Sequence, residues 1–389
     1  MKTLAGPRLD RLLGCQFDSV PPALDLARAI GEREARGAVN ERNPEKGPSA
    51  KTERKLVADA VRSRLRSVEF GKPQIYETIA IVPLITRADG KFQYRTLGES
   101  LSDWDIAVTE VSIAGSVQEL MVVNHTTNPI LMIGGEELAG AKRNRVLNTS
   151  ILIKEDSKTT ISVSSTEQGR WSYTSKAFRE SGFVLACKTR SQTTLSVHSF
   201  LEARGAPLAD QREIWHGIAE LQAKAGAASP TSAMSDVFRA REPDLRKCEE
   251  IFKAVPNQVG LLAIINGRPA GADLVSLTAA YAKLHSKLVR SYVLEGLLDS
   301  NAKPATPDST IPGAQAFLAA ILAAENRQFR SVGYGNDHRF KGKALTGAAL
   351  VHEDEVIHAA FFRLDERTIP ESWLSEQPQP AVHRVVGTL

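Results

Sequence analysis

Cysteine is scarce. Cys15, Cys187 and Cys248 are spread over 389 positions with no CxxC pair. That excludes a disulfide framework and a cysteine-based zinc site, and it fits a reducing cytoplasm. Histidine offers no metal motif either: His125, His198, His216, His285, His338, His352, His358 and His383 are scattered, with no HExxH. No apolar run reaches the length of a membrane span. The N-terminal MKTLAGPRLDRLLG carries charges among its apolar residues, so it does not read as a signal peptide. A membrane is therefore not an expected partner. A dominant charge sign is also missing. The 49 Lys and Arg stand against 45 Asp and Glu, a net charge of +4. With no long basic run, nucleic acid is not supported as a partner. No Walker A is present, and Gly333-Tyr334-Gly335-Asn336-Asp337 departs from GxGxxG, so a dinucleotide fold is not supported.

What remains is the composition of a globular protein, 42% hydrophobic and 24% charged. Residues 1–70 read as a helical arm and linker: a short amphipathic helix over 21–36, a polar Gly/Pro stretch over 37–51, and a helix over 52–68. Residues 71–365 read as the main domain, and 366–389 as a polar, Pro-rich tail. The fold class is α+β, a mostly antiparallel sheet with helices inserted in the middle and C-terminal half. Strands are expected over 74–85, 105–111, 117–124 and 129–133. Runs 146–153 and 159–163 are expected to pair across the turn 154–158. Helices are expected over 210–225, from about 234, over 244–255, 277–298 and 314–324, with a loop over 301–312. Strands 258–265 and 269–274 form a hairpin about Asn266-Gly267. The runs FRSVGYG, KALTGAALVH and EVIHAAFF close the domain as strands.

Polar chemistry concentrates in Ile133 to Trp171, IGGEELAGAKRNRVLNTSILIKEDSKTTISVSSTEQGRW. Glu137 and Glu167 can supply a general acid and base if their environments separate their pKa values. Carboxylates also bind divalent cations, though the sequence singles out no metal site. Glu136 reads better as a partner for a neighbouring cation. Lys142, Arg143, Arg145 and Arg170 can hold a phosphate or carboxylate. Asn144 and Asn148 can read hydroxyls or a base edge, and Trp171 can stack on a ring, although tryptophan is more often core. Ser162 and Ser164 share one strand face, but neither sits in a Gly-x-Ser-x-Gly elbow, so a hydrolase triad is not expected. Asp273 is a late contributor to the site or a turn cap. His198 is a possible member, and His352 and His358 are candidates to face each other on the terminal hairpin.

The runs GGEELAGAKRNRVLN (134–148) and STEQGRW (165–171) resemble the domain named for its association with ADP-ribosylglycohydrolases and rhodanese-phosphatase proteins. VGLLAIINGRPAGADL (259–274) and the stretch 333–361 are similar to the same family, so the resemblance covers about residues 74–363. It implies a bacterial or archaeal cytoplasmic protein with a loose link to nucleotide or ADP-ribose metabolism and stress response. Two positions depart from the family pattern: Arg143 stands where glutamine is usual, and Ser165 where cysteine is common. The second removes a thiol nucleophile at that position. Three readings follow. The first is an enzyme or sensor for a small anionic ligand, nucleotide or ADP-ribose-like. The second is a pure binding module, and the third a structural or interaction protein with the cluster at a homo-oligomer interface. No cofactor is named.

Overall fold

Strand Gln258–Ile265 is apolar from Val259 onward and buried at seven of its eight positions, the signature of a strand covered on both faces. The computed structural model describes residues 60–112, 116, 118–299 and 304–365. The expected arm before residue 60 and the tail 366–389 lie outside the described residues. The strands are β1 (Glu69–Phe70), β2 (Gln74–Tyr76), β3 (Ile79–Ile85), β4 (Arg95–Thr96), β5 (Ile106–Glu110), β6 (Glu119–Asn124), β7 (Ile130–Met132), β8 (Glu136–Gly140) and β9 (Arg145–Leu147). They continue with β10 (Ile151–Ile153), β11 (Ser157–Ser165), β12 (Phe178–Val184), β13 (Gln258–Ile265), β14 (Arg268–Val275), β15 (Glu325–Arg330), β16 (Asn336–Gly342), β17 (Leu345–His352) and β18 (Glu355–Arg363). The labelled helices are α1 (Leu97–Ser102), α2 (Cys187–Arg204), α3 (Gln211–Ala225), α4 (Met234–Ala240), α5 (Glu242–Ile251), α6 (Thr278–Leu298) and α7 (Pro307–Ala323).

A nine-stranded sheet runs β1-β3-β13-β14-β18-β17-β16-β15, with β2 beside β3, and every pairing in it is antiparallel. Period-two alternation sends neighbouring residues to opposite cores. Leu261, Ala263, Ile357 and Phe362 join Tyr281, Leu288 and Tyr292 of α6 on one face. Leu262, Ile264 and Phe361 join Phe317 and Ile321 of α7, with Val61 and Leu65, on the other. Residues 60–67 are helical and so belong to the sheet's packing rather than standing apart from it. A second antiparallel sheet runs β12-β8-β9-β11-β6-β5, and β10-β7-β4 makes a third. Leu120, Val122, Met132, Leu138, Leu147 and Val163 fill the core that these two share. The fold is α+β and mostly antiparallel; β4 with β7 is parallel. Among the described residues, no helix is long and apolar enough to cross a membrane.

Several expectations need correction. The expected strand over 74–85 is a hairpin, β2 and β3, turned at Glu77 with φ of 51°. The run 146–153 is broken in two. Its first part, β9, does pair with β11, whereas β10 pairs with β7 instead. A continuous apolar run does not reveal that its two ends serve different sheets. The loop expected over 301–312 gives way to α7 at Pro307, which sits in the first turn, where a missing N–H costs nothing; Pro312 is carried within the helix. Helix α2 has no apolar stripe, and its buried residues include Thr189, Arg190, Ser191, Thr193 and His198, so periodicity could not announce it.

Candidate functional site

Strands β8 and β9 form a hairpin whose turn, residues 141–144, carries Ala141 at φ 42°. Beside it lies the loop 166–171. The two are wired together through Arg170. Its Nε donates to both Glu167 oxygens at 3.0 Å, and one Nη donates to Oε2 at 2.6 Å. The other Nη donates to the Ala141 and Ser172 carbonyls at 2.8 and 2.9 Å. Asn144 closes the ring: its N–H donates to Glu167 Oε2 at 3.2 Å, and its Oδ1 accepts from Gly140 N at 3.2 Å. Burial, the largest single influence, would raise the Glu167 carboxyl, but hydrogen bonds from Arg170, Thr231 and Asn144 with the Arg170 charge together hold it below the usual range. Glu167, Arg170 and Asn144 thus come together as a frame for the two loops.

The other acidic and basic residues are sealed beneath this frame. Glu136 pairs with Lys287 at 2.5 Å and accepts from Ile133 N; Lys287 also pairs with Glu180. Glu137 is fully buried and accepts the Thr166 hydroxyl at 2.6 Å. Burial pushes its carboxyl up to about 7. Arg145 is also fully buried, 3.7 Å from Glu110, and donates to Ser116 O at 2.8 Å. Asn148 donates to Pro207 O and accepts the Ser164 hydroxyl. The Ser165 hydroxyl donates to the Glu167 carbonyl, and the Ser165 backbone exchanges two hydrogen bonds with the Gln211 amide.

What faces outward is cationic and aromatic. Trp171 is 44% exposed and Tyr173 50%. Lys142 Nζ lies 5.2 Å from each ring centre, and the Arg143 guanidinium carbon lies 4.7 Å from that of Trp171. Arg143 Nε donates to the Arg170 carbonyl at 2.6 Å, which fixes the guanidinium over the indole. Tyr173 was not singled out by the sequence, because it lies two residues beyond the motif.

Asp273 lies elsewhere, buried on β14 behind a small pocket that Arg190 and His358 line. Arg190 grips it through two hydrogen bonds of 2.8 and 2.6 Å, and the Tyr292 hydroxyl donates at 2.6 Å. Burial, the largest single influence, would raise this carboxyl, but Arg190 and His358 together hold the group well below the carboxylate range. His358 Nε2 is 3.3 Å from Asp273 Oδ1, and His358 Nδ1 is 2.8 Å from Ser150 Oγ. The pocket holds about 20 Å³ and is lined by Gly134, Gly135, Asn148, Ser150, Arg190 and Arg339, among others. Gly135, at φ 91°, leaves the space that Arg190 occupies: a Cβ there would meet its side chain at 3.1 Å. Arg339 donates to Thr149 and Asp337 at 2.7 and 2.5 Å. His198 is buried nearby on α2, its imidazole lowered to about 4 by burial and by Arg339. The expected facing of His352 and His358 does not occur: the register sets His352 opposite Glu355 and His358 opposite Leu350. Ser150, Arg190, His358 and Arg339 were not proposed as a group from sequence. The one available signal was an unusually polar stretch, 187–204, that is nonetheless a buried helix.

Among the described residues, no group of three or more His, Cys, Asp or Glu is arranged to hold a metal ion. A larger cleft of about 700 Å³ lies by Lys188, Arg268, Glu295 and Arg363. Burial pushes the Glu295 carboxyl up to about 7, and it caps the start of α2 by accepting from Lys188 N at 2.5 Å.

No curated protein and no solved structure matches this chain. A family profile does match, across residues 67–362, spanning the three sheets, the motif hairpin and the polar pocket. The chain therefore belongs to the family of the ARG and Rhodanese-Phosphatase-superfamily-associated Protein domain.

Proposed function

We propose that the protein binds a small anionic ligand carrying a planar ring, of nucleotide or ADP-ribose type, on the face formed by Lys142, Arg143, Trp171 and Tyr173. One observation supports this most: a fixed guanidinium and an ammonium sit over two rings that stay 44% and 50% exposed. Cations meet the phosphate while an indole or phenol face stacks the base or sugar. Arg145 and Arg170, read from sequence as further anion clamps, instead act as supports under this reading. Arg145 is sealed, and Arg170 is spent on Glu167 and backbone carbonyls. Glu137 and Glu167 likewise hold the loops in place, which favours binding over turnover on this face.

Titration of ADP-ribose, AMP, NAD and ribose 5-phosphate, followed by calorimetry and by quenching of indole emission, tests the reading. Saturable binding by the wild type, lost in Arg143→Ala and Trp171→Ala, is expected. A second reading, an interaction protein with this face at an interface, is favoured by the same pair of exposed aromatic rings. It requires that Trp171→Ala change the sedimentation coefficient rather than ligand affinity.

A further inference from the structure

We infer that Ser150, His358 and Asp273 form a nucleophile, base and orienting carboxylate, making the pocket behind Gly134-Gly135 a hydrolytic site for esters of short acids. The inference rests on different atoms from the Trp171 face and is independent of it.

The proton positions follow from the partners. Asp273 is ionised and can only accept, because Arg190 and Tyr292 both donate to it. The His358 Nε2 facing it at 3.3 Å therefore carries a proton, which leaves the lone pair on Nδ1. Ser150 Oγ accepts the Gly134 N–H at 2.9 Å, so its own hydrogen is free to donate to His358 Nδ1 at 2.8 Å. The order of groups is that of a serine triad with the two imidazole nitrogens exchanged; the Nε2–Asp273 contact is an ion-pair distance of 3.3 Å rather than a hydrogen bond. The three residues come from the loop before β10, from β14 and from β18, so no local sequence pattern could show them together.

A purely structural chain of hydrogen bonds would be sealed at both ends. Here Asp273 and His358 are 1% and 2% exposed, while Ser150 is only part-buried and lines the pocket. Arg339 lines the same pocket, and its buried Nε has no hydrogen-bond partner among the described residues. It is the cation available to a developing oxyanion. A free volume of only about 20 Å³ favours a small acid part, formyl or acetyl.

The chemistry balances with water as the second substrate. Ser150 Oγ adds to the ester carbonyl carbon as its proton passes to His358 Nδ1. The bond from that carbon to the alcohol oxygen breaks, and the alcohol leaves with the proton from His358. Water, giving a proton to His358, then attacks the acylated serine. The short acid departs, and the proton returns to Ser150 Oγ. Asp273 touches no reacting atom and is a positioning residue.

The test uses the full chain with p-nitrophenyl acetate, whose acetyl group lies within that limit. One adduct by intact mass, mapped to Ser150, is expected. Hydrolysis of the ester above the buffer rate should accompany it. Ser150→Ala should abolish both signals with the circular dichroism spectrum retained. His358→Gln should slow labelling about 100-fold, the usual contribution of a general base. Asp273→Asn should displace the pH profile as well as lower the rate. If Ser150→Ala does not fold, Ser150→Cys serves instead. In a Cys15→Ser background, its introduced thiol should alkylate at pH 6 well ahead of Cys187 and Cys248, both buried. No adduct on the folded wild type, an adduct that survives Ser150→Ala, or an introduced thiol of ordinary reactivity would each overturn the inference.

Discussion

At the scale of single residues, Glu137 shows how burial changes what a carboxylate is for. Its ordinary value lies near 4.5, and in the folded chain burial raises it to about 7. Between those two values the native state holds a proton that the unfolded state has released. The stabilising contribution of the protonated group is thus complete below about 4.5 and is lost as pH rises through 7. Glu137→Gln keeps an acceptor for Thr166 and cannot ionise. Relative to wild type, it should become progressively more stable between pH 5 and pH 8, by up to about 3 kcal/mol. Urea denaturation at both pH values measures this, and a pH-independent difference would remove the buried proton from the account. Arg143 and Trp171 lie at the surface, so their alanine variants should cost under about 1 kcal/mol. A melting temperature within a few degrees of wild type checks that their effect on ligand is local.

Among the elements, the loop 166–171 and the β8–β9 hairpin behave as one piece because Arg170 and Glu167 are shared between them. Arg170→Ala would strand the Glu167 carboxylate, which is 6% exposed at its side chain, and release two backbone carbonyls. Breaking a pair this buried should cost about 3 kcal/mol. A denaturation midpoint close to wild type would mean that the two loops are held by something else. The sequence shows this element well in part. The strands 106–110, 119–124 and 258–265 and the hairpin at Asn266-Gly267 are legible from alternation and turn chemistry. Asp210 is legible as the cap of α3, which begins at Gln211. Clustering of Lys142, Arg143 and Trp171 was also visible. Arg145 is sealed because it opens the buried strand β9, whereas Arg143 lies in the turn before it and stays partly exposed, a difference visible only once the strand's start is known. Helix α2 stayed hidden because it buries threonine, serine and arginine where a hydrophobic stripe is expected.

For the whole molecule, the nine-stranded sheet is the common wall of two cores, one under α6 and one under α7. Damage to either should be felt by both. Phe361 is 1% exposed and packs edge-on against Phe340 at 5.2 Å between ring centres. Phe361→Ala should cost about 3–5 kcal/mol through lost burial and a residual cavity. Calorimetry should still show the described fold melting in one transition, shifted down; a new, separate transition would mean the two cores are energetically independent. The same sheet also explains why the polar pocket was not legible. Ser150, Asp273 and His358 meet only because β14 and β18 are neighbours and the loop before β10 docks on them. Distances of 208 positions along the chain leave no periodic trace.

The measurement that bears most directly on the proposed function is calorimetric titration of ADP-ribose and AMP into wild type, Arg143→Ala and Trp171→Ala. Saturable binding by wild type, weakened at least tenfold in both folded variants, about 1.4 kcal/mol or more in each, is the expected result. Binding that persists unchanged in both variants would move the ligand away from the Trp171 face. No binding of any anion by the folded wild type would contradict the small-ligand reading itself.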